Sequence, residues 1–283
     1  MNLISRRRFF GSAGAAWAST LVAGKALALS SHAPGESAAA RSVANDGVSR
    51  YVKLRIGTGG HGHTYPGATV PFGMVQLSPD TGTEGWDWCS GYHYSDGSLM
   101  GFSHTHLSGT GAGDMLDVLV MPGTGTVKLE PGTKDSPERG YRSRFSHDDE
   151  VAVPGYYAVL LRDYEIHAEL TATARAGLHR YTFPESPASH FMVDLAHASN
   201  PKDAVLWARL RIVGKDTLVG ARSVNRFAPG RVVYFAMKFS APFERAEIFA
   251  DGRLAPADNG PAEAKLVKCV LHYATGGRRD NPG

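Results

Sequence analysis

From residue 117 onward the chain falls into short runs in which apolar and polar positions alternate. Residues 117–121 (DVLVM) form a continuous apolar run that Pro122-Gly123 closes, and residues 140–147 set Tyr141, Ser143 and Phe145 on one face. Further runs occupy 156–162, 166–173, 176–183, 190–195, 205–213, 217–227, 231–240, 245–250 and 265–273. Val, Tyr, Phe and Leu recur in them with near period two, the repeat of a strand with a buried face. Gly, Pro, Asp and Asn fill the gaps, and Asp251-Gly252 is a two-residue hairpin signal. Strands at this close spacing, without a convincing helix-period segment, predict an all-β fold: an antiparallel β-sandwich with long loops.

Residues 56–113 break this pattern. They read IGTGGHGHTYPGATVPFGMVQLSPDTGTEGWDWCSGYHYSDGSLMGFSHTHLSGTGAG and hold His61, His63, His93, His104 and His106, five of the chain's 12 histidines. Gly, His, Trp, Ser, Thr and Asp crowd together, which is loop chemistry carried on a scaffold. Glycine lets backbone approach a ligand closely. Indole and phenol rings give flat apolar platforms with a polar edge. Sugars match both, although metal sites and protein interfaces use similar loops.

Two blocks within this stretch, GTGGHGHTYPGATVPFGMVQLSPDT and GWDWCSGYHYSDGSLMGFSHTHLSGTGAGD, resemble the opening of glycoside hydrolase family 92. Weaker similarity continues through GYYAVLLRDYEIHAELTATARAGLHRYTFP and RVVYFAMKFSAPF, so it covers most of residues 50–275. The resemblance implies the N-terminal β-sandwich (supersandwich-like) of a calcium-dependent, inverting, exo-acting α-mannosidase. In that family a larger helical (α/α)6 barrel follows and carries the catalytic carboxylates and most of the calcium site. The expectation is therefore a chain truncated before the barrel, with no catalytic residue or calcium ligand of its own.

The N-terminus adds an address. Ser5-Arg6-Arg7-Arg8-Phe9-Phe10, a short apolar run and Ala26-Leu27-Ala28 predict a twin-arginine export signal over residues 1–28. The run is too short to span a bilayer. Residues 29–48 lack large apolar side chains and read as a disordered linker; 49–275 form the domain, and 276–283 a polar tail. The formal charge of +3 comes from the leader, which holds four of the 30 basic residues and none of the 27 acids. The remainder carries 26 against 27, a net of −1, which excludes a basic nucleic-acid surface. Cys89 and Cys269 are far apart in sequence and read as buried thiols rather than as a disulfide.

His61-x-His63 and His104-x-His106 would each place two imidazoles on one face of an extended segment. A transition-metal site lacks a third firm ligand. Gly57-Thr58-Gly59-Gly60 is not followed by Gly-Lys-Ser/Thr or by a helix, so it reads as a backbone turn walling a ligand pocket rather than as a phosphate loop. Ser103 fails the Gly-x-Ser-x-Gly pattern, and Cys89 with His93 has no orienting third residue. Trp86, Trp88 and Tyr92 around Asp87 read either as the packed base of a loop or as a pocket wall. With the family resemblance, the expected sugar contacts are Gly59, Gly60, His61, Trp86, Asp87, Trp88, Cys89, His93, His104 and His106. Inverting hydrolysis needs an acid and a base roughly 6.5–9.5 Å apart, and Asp80, Asp87, Asp96 and Asp114 show no such pairing in sequence. The expected partners are α-mannoside glycans and a C-terminal barrel, on a separate polypeptide if not on this one. A stand-alone carbohydrate-binding module and a non-functional fragment are the rival readings.

Overall fold

The computed structural model describes residues 47–199, 204–256 and 261–275. The leader, the linker as far as residue 46 and the tail lie outside the described residues. Gly47–Tyr51 forms a 3-10 turn. Eighteen strands follow: β1 (Ala68–Thr69), β2 (Gln76–Asp80), β3 (Ser98–Leu99), β4 (Gly101–Ser103), β5 (Leu119–Thr124), β6 (Ser143–Arg144), β7 (Val151–Val153), β8 (Tyr156–Leu161), β9 (Ile166–Ala172), β10 (Gly177–Thr182), β11 (Ser186–Asp194), β12 (Val205–Val213), β13 (Thr217–Val224), β14 (Arg231–Lys238), β15 (Arg245–Ala250), β16 (Arg253–Leu254), β17 (Ala262–Ala264) and β18 (Val267–Thr275).

An eight-stranded sheet, β1-β2-β4-β5-β11-β18-β15-β16, is central. Its Leu119, Met121, Met192 and Val270 pack with Tyr157, Ile166 and Leu170 of the four-stranded sheet β10-β9-β8-β7. The intervening Val118, Val120, Val193, Cys269 and Leu271 pack with Ala208, Leu210 and Leu218 of the sheet β14-β13-β12-β17. The middle of the large sheet is thus buried on both faces, which is why DVLVM reads as a continuous apolar run and not as an alternation. All the paired strands are antiparallel. Asp251 (φ 47°) and Gly252 (φ 77°) close the β15–β16 hairpin as the sequence predicts.

Two expectations fail locally. Pro122-Gly123 does not end its strand: β5 runs to Thr124 along β11, with Pro122 opposite Phe191. On its other side β5 pairs with β4 only at Val120, so proline's missing N–H breaks no ladder there. The His190 ring covers Gly123, whose Cβ would stand 2.7 Å from Nε2. Residues 140–147 form only the short β6, because Tyr141, Arg142 and Phe145 bury their side chains individually and leave no continuous ladder.

The segment entering β5 is strained. Met115, Leu116 and Val118 adopt φ of 66°, 60° and 59°, a region that costs non-glycine residues about 1–3 kcal/mol each. Buried charge holds it there. Asp117 lies 3.0 Å from Arg222, both side chains being fully buried, and accepts from Arg231 (2.8 Å) and the Thr105 hydroxyl (2.6 Å). Burial opposes the Asp117 charge, but the two guanidinium groups hold its carboxyl below the usual range.

The small sheet of β7–β10 is tied to the large one by two imidazoles. His104 Nδ1 donates to the Val118 carbonyl (2.7 Å), which leaves Nε2 as an acceptor. His179 Nε2, 3.0 Å away, donates to it, and His179 Nδ1 accepts from the Tyr181 hydroxyl (2.7 Å). The three bonds fix both rings as neutral. Burial lowers the pKa of each from the ordinary 6.5, that of His179 to well below it. Above about pH 6.5 neither the folded nor the unfolded rings carry a proton. As pH falls below that value the unfolded rings take one up and the folded ones resist, so stability present at neutral pH is lost. The urea midpoint should therefore drop between pH 7.5 and 5.5, and His179→Phe should flatten that dependence. An unchanged pH dependence in the variant would contradict the account. Asp80 and Asp117 act in a separate window, below their ordinary 3.8.

Candidate functional site

The glycine-rich stretch has little regular structure, so side chains hold it. Its centre is Asp80 at the end of β2, fully buried. Asp80 accepts from His106 Nε2 (2.7 Å) and His197 Nε2 (2.8 Å). Burial alone would raise the Asp80 pKa, but the two imidazoles outweigh it and hold the carboxyl below its usual value. His106 Nδ1 lies 2.7 Å from the Gln76 carbonyl oxygen, so both ring nitrogens face oxygens, and the His197 carbonyl accepts from Arg222, which joins Asp80 to the Asp117 network. Above Asp80 the backbone turns at Gly91 (φ 82°), where a Cβ would stand 2.2 Å from Asp80 Oδ1. The Gly91 carbonyl accepts from Thr81 N–H (2.6 Å), and the Thr81 hydroxyl accepts from His93 N–H (2.9 Å).

Trp88 is fixed from several sides. Its ring lies against Gly82, whose Cβ would meet Cδ1 at 2.4 Å. Lys134 Nζ stands 3.7 Å from the ring centroid, a cation–π contact. Trp88 Nε1 donates to Asp96 (2.7 Å), and Lys134 donates to both Asp96 oxygens. The His93 ring packs beside it (5.1 Å) and bonds to Ser95 Oγ and the Gly60 carbonyl.

Trp86 is the open side of the rim, 58% exposed. His61 (4.9 Å) and His63 (4.4 Å, edge-on) pack against it. His61 Nδ1 donates to Asp87 (2.6 Å), and that hydrogen bond is the main cause of the lowered Asp87 pKa. His63 is buried at φ 56°, and its Nε2, 3.7 Å from Asp87, has no hydrogen-bond partner among the described residues. A buried polar atom left without a partner is costly, and this one lies at the edge of an exposed indole.

The structure therefore brings Gly60, His61, Trp86, Asp87, Trp88 and His93 together, with Gly59 packed on Tyr94 in the adjoining turn. It places Cys89, His104 and His106 in the interior, behind this surface. His61 and His63 converge on Trp86 and Asp87, the first exposed and the second buried, whereas His104 and His106 serve different acceptors. Sequence reasoning had not singled out His63 as a contact, nor His197 at all. His63 was flagged only by its glycine neighbours and spacing; His197 stands 117 residues from Asp80 and carried no local signal. Both cysteines are free and buried. Calcium does not fit this donor set. The carboxylates of Asp80, Asp87, Asp96, Asp114 and Asp117 all accept from ring, ammonium, guanidinium or backbone N–H groups, and no cluster of three His, Cys, Asp or Glu among the described residues suits a metal ion.

Fold and rim define an all-β sandwich domain that presents an aromatic–imidazole loop surface on a buried ionic scaffold. The chain belongs to glycoside hydrolase family 92: the family model "Glycosyl hydrolase family 92 N-terminal domain" matches residues 51–280. It is similar to a family 92 α-mannosidase from Bacteroides thetaiotaomicron solved in complex with mannoimidazole, at 42% identity and a TM-score of 0.77, over 80% of this chain and 30% of that one. A family 92 inverting mannosidase from the same species matches at 27% identity and a TM-score of 0.62, over 77% of this chain and 27% of that one. An "Uncharacterized secreted glycosidase" of Arthroderma benhamiae is 33% identical over 150 residues, half of this chain and 18% of that protein. The chain thus spans under a third of the length of each of these relatives.

Gly91→Ala should destabilise the domain by about 2–4 kcal/mol, from the positive φ and the clash with Asp80 together. Gly97→Ala, where a Cβ meets nothing within 4 Å, should be nearly neutral. Urea denaturation reads both, and similar midpoints for the two variants would contradict the packing described.

Proposed function

We propose that this domain forms one edge of the active site of an exported α-mannosidase of family 92, its rim contacting the terminal sugar. The observation that carries this reading is the exposed Trp86 with His61, Asp87 and the unpartnered His63 Nε2 beside it. An indole face suits the apolar side of a pyranose, and the imidazoles and carboxylate suit its hydroxyls. Mannose chemistry is supported by the mannoimidazole bound to the relative from Bacteroides thetaiotaomicron. Gly60, Trp88 and His93 position the rim; Cys89, His104 and His106 support it from below.

Catalysis is assigned to residues outside this domain. Cleavage with inversion requires a proton donor at the leaving oxygen and a base activating water on the opposite face. Asp80 and Asp114 are buried, Asp96 is engaged by Lys134 and Trp88, and Asp87 is engaged by His61. Acid, base and calcium would come from the helical barrel that family membership implies, whether joined to this chain or separate. Export follows from the paired arginines at Arg6 and Arg7 and is supported by the name of the Arthroderma benhamiae glycosidase. Among the described residues no helix is long and apolar enough to cross a membrane.

The test is release of mannose from an α-linked disaccharide by the purified chain, with and without a family 92 barrel polypeptide and calcium. The chain alone should be inactive and the complemented mixture active. Trp86→Ala or His61→Ala should lower the complemented rate about 10- to 100-fold, or about 1.4–2.7 kcal/mol. Turnover by the chain alone, or complemented activity indifferent to Trp86→Ala, would overturn the proposal.

A further inference from the structure

The outer face of the sheet β14-β13-β12-β17 carries chemistry that the rim does not use. Ala208, Leu210, Leu218 and Arg222 of this sheet point into the interior. The alternate positions line a groove of about 710 Å³, among them Trp207, Arg209, Arg211, Ala221, Tyr234 and Glu263. Because Arg222 reaches Asp117 from the inner face, the groove and the scaffold of the rim lie on opposite sides of this sheet.

Strand register fixes the layout. Glu263, Arg209, Ala221 and Tyr234 stand in one cross-strand row. Trp207 stands in the next row, opposite Ser223. Two strand spacings and one two-residue step put Trp207 and Tyr234 roughly 12 Å apart. Ala221 between them is short and keeps the floor low. Tyr234, on the edge strand β14, is 78% exposed, so most of its ring is left in water. Arg209 donates to Glu263 through Nε (2.6 Å) and Nη2, both to the same oxygen. Its Nη1 and the other Glu263 oxygen remain for a ligand, and their charges cancel.

Two aromatic planes, with a neutral planar donor–acceptor pair beside the Trp207 end, match the apolar faces and hydroxyl edges of successive sugar rings. A nucleic acid would require several uncompensated cations, and among the described lining residues only Arg211 is left over. We propose that this outer face is a second glycan-binding surface, separate from the rim, that takes a neutral oligosaccharide chain across Trp207 and Tyr234.

Affinity electrophoresis of the full chain in native gels cast with galactan or xyloglucan, neither of which offers the rim a terminal mannose, tests this. At least one polysaccharide should retard migration. Tyr234→Ala should weaken that retardation at least tenfold, Trp207→Ala should do the same, and Leu178→Ala, an exposed side chain on β10, should leave it intact. Tyr234 is exposed enough for its variant to fold, and far-ultraviolet circular dichroism checks this. Three results would overturn the proposal: no retardation in either gel, retardation that survives the Trp207→Ala/Tyr234→Ala double variant, or loss of retardation in Leu178→Ala alone. Sedimentation showing a dimer that Tyr234→Ala dissolves would assign the face to a second copy of the chain and overturn it as well.

Discussion

A carboxylate removed from water must be met by donors or it does not stay charged. Asp80 meets that requirement with two imidazoles drawn from distant segments, His106 after β4 and His197 after β11. This constraint sets the positions of three chain segments at once. Breaking such a pair from one side costs about 3–5 kcal/mol, so Asp80 acts as a single anchor under a surface with little regular structure of its own. His197 passes the constraint on, because its carbonyl binds Arg222 and Arg222 meets Asp117. The strained residues at 115–118 are tolerable because Asp117, on the same short segment, is gripped by two guanidinium groups.

The rim inherits its rigidity from this network and from close backbone approaches. Gly91 and Gly82 are places where a Cβ would strike Asp80 and Trp88, respectively. Lys134 and Asp96 hold Trp88 from the other side. Trp86, by contrast, has imidazole neighbours and an open face. The two indoles differ in setting: one is locked into the scaffold, and the other is open to solvent. Binding surfaces held by preorganised groups lose less freedom on capturing a ligand.

The strands of the second half were legible because half-buried strands alternate, and β8, β9, β12 and β15 stand within a residue or so of where periodicity puts them. The continuous run at 117–121 announced burial but not that two sheets cover it. Pro122 was misleading because the damage done by a proline depends on whether its side of the strand has a partner, which local sequence does not state. In the glycine-rich stretch, composition located the rim but not its orientation. The spacing of His61 and His63 matches their shared place against Trp86, but it did not show that His63, at φ 56°, is buried while His61 is exposed. The Asp80–His197 contact was invisible, since it joins residues that only the folded sheet order brings together.

Hydrogen exchange at individual amides tests most directly whether Asp80 holds the rim. Asp80→Asn keeps the shape but replaces one acceptor oxygen with an amide that cannot accept from an imidazole N–H. The account predicts faster exchange at Thr81, Gly91 and His93, whose N–H groups bond to Gly91 O, Trp88 O and Thr81 Oγ1. Protection across β12, β13 and β14 should persist. Unchanged exchange at those three amides, with Asp80→Asn folded, would contradict the claim that this buried carboxylate organises the surface.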